Sequence, residues 1–124
     1  MLVTLERKVA MKFVIAVIQS HRLEPVRIAL ADIGVEAITV SEVKRFGLQE
    51  THKEFYRGTE YAVGYLTKTR IEFAVSDELA RRAVDALREA AVTGEVGDGR
   101  IYVSELSHVI QIRSGKVDAS VDAL

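Results

Sequence analysis

A glycine-rich segment, Thr93-Gly-Glu-Val-Gly-Asp-Gly-Arg-Ile101, carries the first chemistry in the sequence. Gly94, Gly97 and Gly99 allow backbone N–H groups to point at one concave spot, and Arg100 adds a cation. Because anion sites are built in this way, the segment predicts a phosphate-binding loop. It lacks the spacing of a Walker loop, and it does not follow a strand and open a helix as a dinucleotide fingerprint does. A helix end followed by a tight turn is the alternative interpretation.

A second segment, Phe46 to Tyr61, combines aromatic with charged residues. A connection of this length in a compact domain is uncommon unless it is functional or disordered. The aromatic residues Phe55, Tyr56 and Tyr61 would anchor a partner, and the charges between them would set the register. The segment therefore predicts a protein-binding loop. An extended hairpin with exposed aromatic side chains is the alternative.

The familiar catalytic and metal-binding patterns do not occur in the sequence. His21, His52 and His108 lie far apart without an H-E-x-x-H pattern, so we expect no metal site built from them. There is no G-x-S-x-G elbow, and the acidic residues between 77 and 89 are typical of the solvated face of a helix. The absence of cysteine excludes disulfides, thiol catalysis and thiolate metal ligands. We therefore expect a protein that is not an enzyme.

Length, composition and charge indicate that both segments belong to one small domain. The chain has 124 residues, of which 48% are hydrophobic and 28% charged, as in ordinary globular domains. Its 17 basic and 18 acidic residues give a net charge of −1, so no general attraction to nucleic acid or anionic membrane is expected. The longest apolar run, Phe13 to Ile18, is far shorter than the roughly 20 residues that span a bilayer. We expect a cytoplasmic protein without a membrane-inserted segment.

The first half of the chain predicts a strand, a helix and a second strand. Phe13 to Ile18 is continuously apolar and mostly β-branched, as in a strand buried on both faces. Pro25 marks a helix start, and Gly34 marks the end of that helix. Residues 37–43 alternate as a second strand does, and residues 44–61 then form the long loop.

The second half repeats this order. From Ala62 the chain is β-like, and apolar residues alternate through Val75. Ser76 is expected to cap a helix that ends at Thr93-Gly94 and leads to a short strand, Ile101-Tyr102-Val103. The predicted buried stripe of this helix comprises Ala80, Ala83, Val84, Leu87, Ala90 and Ala91.

This order of elements predicts an α+β, ferredoxin-like βαββαβ fold with both helices on one face of the sheet. The other face then needs a cover, which favours a homo-oligomer. Residues 1–10 are interpreted as an N-terminal extension, 11–115 as the domain and 116–124 as a C-terminal tail. A last apolar segment, Val109 to Ile112, precedes that tail.

Five stretches together make the sequence resemble the PII signal-transduction protein family. The resemblance extends from about residue 11 to about residue 115. It implies a homotrimer that binds adenine nucleotides (ATP, ADP or AMP) between neighbouring subunits and projects a long T-loop. The stretches are Thr39-Val-Ser-Glu-Val-Lys44, Phe46-Gly47, Tyr56-Arg-Gly-Thr-Glu-Tyr61, Thr93-Gly-Glu-Val-Gly-Asp-Gly-Arg-Ile101 and Val109-Ile-Gln-Ile-Arg-Ser-Gly115.

The resemblance also assigns roles to single residues. Gln49 matches a glutamine that helps to hold Mg²⁺ and 2-oxoglutarate, and Lys68 matches a lysine that pairs with the 2-oxoglutarate carboxylate. Tyr61 occupies the position that is uridylylated in the family, with an aromatic contact alone as the alternative. The implied nucleotide-binding residues are Thr39, Phe46, Gly47, Gly97, Asp98, Gly99, Arg100 and Arg113.

The function implied is that of a switch in nitrogen regulation, whose T-loop engages an ammonium channel or a regulated enzyme. Leu48 and Gln111 stand where the family usually has basic residues. Each charge-assisted phosphate contact is worth roughly 1.5–3 kcal/mol, so we expect weakened discrimination in favour of ATP. A carbon-side paralogue that senses ADP or AMP and bicarbonate and regulates a bicarbonate transporter is the first alternative. A small acylphosphatase-like enzyme with an anion loop at Gln19-Ser-His-Arg22 is the second.

Overall fold

The structure, a computed structural model, describes residues 10–46, 52–56 and 59–117, and only the backbone of 52–56 and 59–63. A short 3-10 turn, Ser20–Arg22, follows the first strand. The remaining elements are β1 (Met11–Ile18), α1 (Leu23–Asp32), β2 (Thr39–Phe46), β3 (His52–Tyr56), β4 (Thr59–Val63), β5 (Tyr65–Ser76), α2 (Asp77–Ala91) and β6 (Gly99–Leu106).

Four strands form one antiparallel sheet in the order β2-β5-β1-β6. β1 and β5 occupy its centre, and β2 and β6 are its edges. The two remaining strands, β3 and β4, pair with each other in a separate ribbon. The predicted α+β, ferredoxin-like βαββαβ arrangement is therefore confirmed, with the β3–β4 ribbon inserted between the two halves.

The core lies between the sheet and the two helices. Alternate residues of the central strands, such as Val14 in β1 and Ile71 in β5, are fully buried there. Leu30 of α1 and Leu87 of α2 reach the same cluster. β1 is continuously apolar from Phe13 to Ile18, whereas β5 alternates between apolar and polar residues and each helix buries one stripe.

The opposite face of the sheet, called the open face here, has no helix on it among the described residues. Its apolar positions are Phe13, Ile15 and Val17 of β1 with Ala74 of β5 and Tyr102 of β6. All five are partly exposed, and Tyr102 is 47% exposed. One-sided coverage was expected from the order of elements; the oligomer that would cover this face stays a prediction.

Both helices follow their sequence signals with small differences. α1 begins at Leu23, so Pro25 lies in the first turn, where its missing N–H costs no hydrogen bond. The predicted N-cap of α2 is confirmed, because the Ser76 side chain accepts a hydrogen bond from the backbone N–H of Leu79 (3.3 Å). α2 ends at Ala91, two residues earlier than the predicted Thr93-Gly94.

The predicted long loop contains more strand than its sequence indicated. β2 continues to Phe46, and residues 52–56 pair with 59–63 as an antiparallel hairpin. This backbone corresponds to the extended-hairpin alternative, which local polarity could not distinguish from a loop. Residues 47–51 and 57–58 lie outside the described residues, as do 1–9 and 118–124.

Candidate functional site

The glycine-rich segment forms the connection between α2 and the edge strand β6, and residues 92–98 are called the glycine loop below. Gly94 and Gly97 adopt φ values of 87° and 101°, in the left-handed region that favours glycine. Residues 92–96 are exposed, as is Arg100 just inside β6. The loop therefore presents backbone and a guanidinium to solvent at one end of the sheet.

Gly99 begins β6 where the loop meets β1. Its φ is 101°, and an added Cβ would lie 1.8 Å from the carbonyl oxygen of Val17. A side chain at this position would displace the β1 backbone or the edge strand. Glycine is thus required here by contact with β1, in addition to its backbone conformation.

The carboxylate of Asp98 turns back into the glycine loop and holds it closed. Its Oδ2 accepts hydrogen bonds from the backbone N–H groups of Thr93 (2.8 Å) and Gly94 (2.9 Å). Its Oδ1 accepts from the Thr93 hydroxyl (2.5 Å) and from Nε2 of Gln19 (2.8 Å). Hydrogen bonds lower the pKa of Asp98 to about 2. The largest contributions come from the Thr93 hydroxyl and the Thr93 backbone N–H, and smaller ones come from the Gly94 backbone N–H and the Gln19 side-chain amide.

The turn after β1 supports the glycine loop from behind. Gln19 donates to Asp98 through Nε2, and its Oε1 lies 3.1 Å from Nε2 of His21. The guanidinium of Arg22 donates to the carbonyl oxygen of Ala90 through Nε (2.9 Å) and Nη2 (2.6 Å). A cation therefore caps the C-terminal end of α2, where carbonyl groups have no helical partner. The arginine that the acylphosphatase interpretation would place in an anion loop donates to this carbonyl instead.

Lys68 is the buried cation beside the loop. Its side chain extends from β5, the residue is 6% exposed, and Nζ donates to the carbonyl oxygen of Gly97 (2.7 Å). The Nζ atom also lies 3.3 Å from the position of a Cβ on Gly97. The predicted effector-binding lysine and the predicted phosphate loop are therefore in direct contact.

A pocket of about 380 Å³ lies beneath the glycine loop, between α2 and β6. Ile18, Leu87 and Ile101 form part of its apolar floor, and Arg88 and Arg100 line it as well. The pocket combines apolar walls with the exposed cation Arg88, a combination suited to a ligand that is partly apolar and carries negative charge. Arg100 borders the pocket from β6, where it pairs with Val17 and shares the open face.

The other predicted site residues lie elsewhere in the chain. Thr39 and Phe46 are the two ends of β2, on the opposite edge of the sheet from β6, and three strand spacings make roughly 14 Å. Phe46 is 67% exposed and its ring packs against Tyr65 at 5.6 Å between centroids. Nζ of Lys44 lies 4.8 Å from the centroid of the same Tyr65 ring.

The predicted phosphate residue Arg113 belongs to a tight C-terminal turn. Ile110 and Val117 form a bridge that closes it. Within the turn, the backbone N–H of Gly115 donates to the carbonyl oxygen of Gln111 (2.8 Å), and the Ser114 hydroxyl donates to the Gln111 side chain (2.8 Å). Gln111 therefore supports the turn that carries Arg113, which is itself exposed.

The structure thus gathers one part of the predicted site and separates another. Gly97, Asp98, Gly99 and Arg100 lie at the glycine loop together with Lys68. Thr39, Phe46 and Arg113 do not lie on the elements that form this loop. Tyr61 is in β4, where its backbone pairs with residue 54, and Gly47 and Gln49 fall outside the described residues.

Sequence reasoning did not assign Gln19 to this site, and it included Thr93 in the phosphate loop without giving its hydroxyl a role. Gln19 is 79 residues from Asp98, so no local spacing could connect them. The one available signal was a polar residue directly after the central apolar strand, at the end of the sheet where the glycine loop also lies.

Two further features concern metal and membrane. Among the described residues, no group of three His, Asp or Glu side chains is placed to hold a metal ion. Within the same residues, no helix has both the length and the apolar character needed to cross a bilayer.

Comparison with known proteins gives consistent matches over nearly the whole chain. Residues 11–116 match the family model described as nitrogen regulatory protein P-II. The chain is 50% identical over 109 residues to the nitrogen regulatory protein P-II of Rhizobium etli, covering 88% of this chain and 97% of that protein. It is 47% identical over 108 residues to the nitrogen regulatory protein GlnK of Escherichia coli K12, covering 87% and 96%.

A solved structure agrees with the sequence matches. The crystal structure of Arabidopsis thaliana PII bound to citrate superposes with a TM-score of 0.71 at 29% sequence identity. The superposition covers 89% of this chain and 90% of the plant protein.

Proposed function

The chain belongs to the nitrogen regulatory protein P-II family, and on that premise we propose that it is a cytoplasmic switch that binds an adenine nucleotide at the glycine loop. Nucleotide binding favours one conformation of the segment 46–61, and a partner in nitrogen metabolism recognises that conformation. Such a switch works by shifting populations and requires no catalytic residue. The proposed partner is a transporter of ammonium or an enzyme under nitrogen control.

One observation carries the proposal. The glycine loop is held in a compact conformation while its backbone and the guanidinium of Arg100 stay exposed. Backbone N–H groups and a guanidinium together favour a phosphate over a neutral ligand. Gly97 and Gly99 lie on this surface and would border the phosphates. The exposed loop and the cations beside it fit a nucleotide, and Mg²⁺ would accompany ATP.

The separated residues support a site shared between copies of the chain. Thr39 and Phe46 lie on the edge strand opposite the glycine loop. β6 is about 24 Å long, and Arg100 lies at its start. Arg113 comes after Leu106, the other end of the strand. If two copies place opposite edges side by side, residues of β2 and the C-terminal turn of one copy can meet the glycine loop of the other. Closing this arrangement with three copies gives the homotrimer that we propose.

The effector part of the proposal rests on Lys68. A 2-oxoglutarate carboxylate would take this ammonium as its partner and compete with the carbonyl oxygen of Gly97 for it. Gln49 is proposed to hold Mg²⁺ and the effector. Tyr61 is proposed as the position of uridylylation, a reversible modification of the projecting segment.

Titration calorimetry with ATP, ADP, AMP and 2-oxoglutarate tests the proposal. We expect micromolar binding of at least one adenylate. Arg100→Gln should weaken that binding by about ten- to a hundredfold, because it removes a charge-assisted phosphate contact. Arg81→Gln is the matched control, since Arg81 is exposed on α2 and pairs with the nearby Asp85. A wild-type protein that binds no adenylate at millimolar concentration contradicts the proposal.

Sedimentation analysis tests the assembly independently of the ligand. A mass three times that of the 13.7 kDa chain is expected. Ile15→Lys places a charge at the centre of the open face and should yield monomers. A wild-type protein that sediments as a monomer at high concentration would exclude a shared site.

A further inference from the structure

The hydrogen bonds of the glycine loop converge on one carboxylate. Four donors meet Asp98: two backbone N–H groups, the Thr93 hydroxyl and the amide of Gln19. Three of the four belong to residues 93 and 94, and the fourth comes from the turn after β1. Asp98 therefore closes the loop upon itself and Gln19 ties it to the sheet.

We propose that Asp98 and Gln19 are positioning residues that set the glycine loop in its binding conformation before a nucleotide arrives, without contacting the nucleotide themselves. This inference rests on the proposed function, and it assigns Asp98 a different role from direct nucleotide contact. Gln19, in the turn behind the loop, is the new member of the site.

The conformational freedom of the loop makes such a device necessary. Gly94 and Gly97 give the backbone access to conformations that other residues avoid, and that freedom must be lost when the loop wraps a phosphate. A loop that is already ordered loses less conformational entropy on binding, so its affinity is higher. Asp98 supplies this order at the loop base, where Thr93 and Gly94 leave α2.

The negative charge of Asp98 distinguishes a positioning role from a purely electrostatic one. A carboxylate next to a phosphate repels it, so neutralising Asp98 would strengthen phosphate binding if charge alone mattered. If Asp98 positions the loop, the same substitution weakens binding. The two explanations therefore predict opposite changes for Asp98→Asn.

The charged groups around Asp98 do not alter this reasoning. Arg88 and Arg100 line the same pocket, Lys68 holds the adjacent Gly97, and His21 contacts Gln19. With its pKa near 2, Asp98 stays ionised throughout the physiological range. The ionised Asp98 carboxylate therefore holds the glycine loop closed at the pH of any ordinary binding measurement.

The experiment combines calorimetry with hydrogen exchange on the full chain. We expect Asp98→Asn to weaken ADP binding at least about tenfold and Gln19→Ala about three- to fivefold, through lost preorganisation. In the ligand-free variants, peptides covering residues 92–98 should exchange faster than in the wild type. Asp85→Asn on α2 is the control with the same change of charge, and it should bind ADP as the wild type does.

Each result decides the inference. Unchanged or tighter ADP binding by Asp98→Asn overturns it, as does unchanged exchange over residues 92–98. If Asp98→Asn does not fold, Gln19→Ala decides, because it removes the link to the turn behind the loop and leaves the bonds of Asp98 to Thr93 and Gly94 in place. If the wild type binds no adenylate, the proposed function fails. The exchange data then show whether Asp98 and Gln19 order the glycine loop for the stability of the fold alone.

Discussion

Two turns in this protein perform the same connection by different means. Both lead from a helix to an edge strand: residues 33–38 join α1 to β2, and the glycine loop joins α2 to β6. In the first, the N–H of Gly34 donates to Ala31 and that of Val35 to Leu30, the two bonds of a Schellman motif. Val35 and Leu30 are fully buried, so the turn is held by backbone bonds and an apolar contact.

The glycine loop uses side chains for the same purpose. Asp98 accepts hydrogen bonds from the backbone N–H groups of residues 93 and 94. Gln19 attaches the loop to the sheet, and Arg22 caps α2. A turn that serves the fold alone can bury its closing contacts. The glycine loop keeps its outer surface exposed and is stabilised from behind by ionised and polar groups, which leaves that surface accessible to the ligand that we propose.

The largest difference is expected from substitution of the glycines. Gly99→Ala should lower the free energy of unfolding by more than about 4 kcal/mol, because the new Cβ would lie 1.8 Å from the carbonyl oxygen of Val17. Gly34→Ala should lower it by only about 1–2 kcal/mol, because the φ is equally positive but there is open space around it. Urea unfolding at a fixed protein concentration measures both. Equal losses would show that close approach to β1 is not what requires glycine at position 99.

The second largest loss of stability is expected when the Arg22 cap on α2 is removed. Arg22→Met keeps the apolar stem but removes both hydrogen bonds to Ala90, and we expect a loss of about 1–2 kcal/mol in the free energy of unfolding. Arg27→Met on α1 is the matched control, since Arg27 is exposed and pairs with the nearby Glu24. If both variants lose the same amount, the bidentate cap does not distinguish the second turn from the first.

A smaller effect is expected from the Asp98 carboxylate, whose contribution to stability changes with pH only in acid. The pKa of Asp98 is about 2 in the folded chain, below its ordinary value of 3.8. A lowered pKa contributes stability that is fully present above about pH 4 and is lost as the pH falls toward 2. The urea midpoints of the wild type and Asp98→Asn should therefore differ at pH 6 and converge between pH 4 and pH 2. A constant difference across that range would mean that the ionised carboxylate does not hold the loop.

The smallest effect is expected on the outer face of α2. Arg81→Ala removes an exposed pair with Asp85 at 3.4 Å and should change the free energy of unfolding by no more than about 0.5 kcal/mol. Thermal unfolding of this variant gives the baseline for the other substitutions. A loss comparable to that of Arg22→Met would show that helix surface charge, not the cap, stabilises α2.

Local patterns in the sequence were sufficient for most of the fold. The run at 13–18 and the alternation up to Val75 identified the central strands, and Ser76 identified the start of α2. The helix-facing stripe and the one-sided sheet followed from periodicity. The ribbon of β3 and β4 was predicted only as the alternative to a loop, because its pairing depends on backbone partners and its residues show no sustained apolar period.

The candidate site divided in the same way. The glycines, Asp98 and Arg100 are neighbours in sequence, so their spacing alone indicated a phosphate loop. The direction of the Asp98 carboxylate, the contact of Lys68 with Gly97 and the role of Gln19 depend on strands that meet in space.

The sequence by itself determined which residues form strands, helices and the glycine loop, because these depend on side-chain type at short spacing. Only the tertiary structure decided how that loop is held and which predicted partners lie on the opposite edge. The reason is physical: hydrogen bonds between residues such as Gln19 and Asp98 form only after the sheet has brought distant strands to the same end.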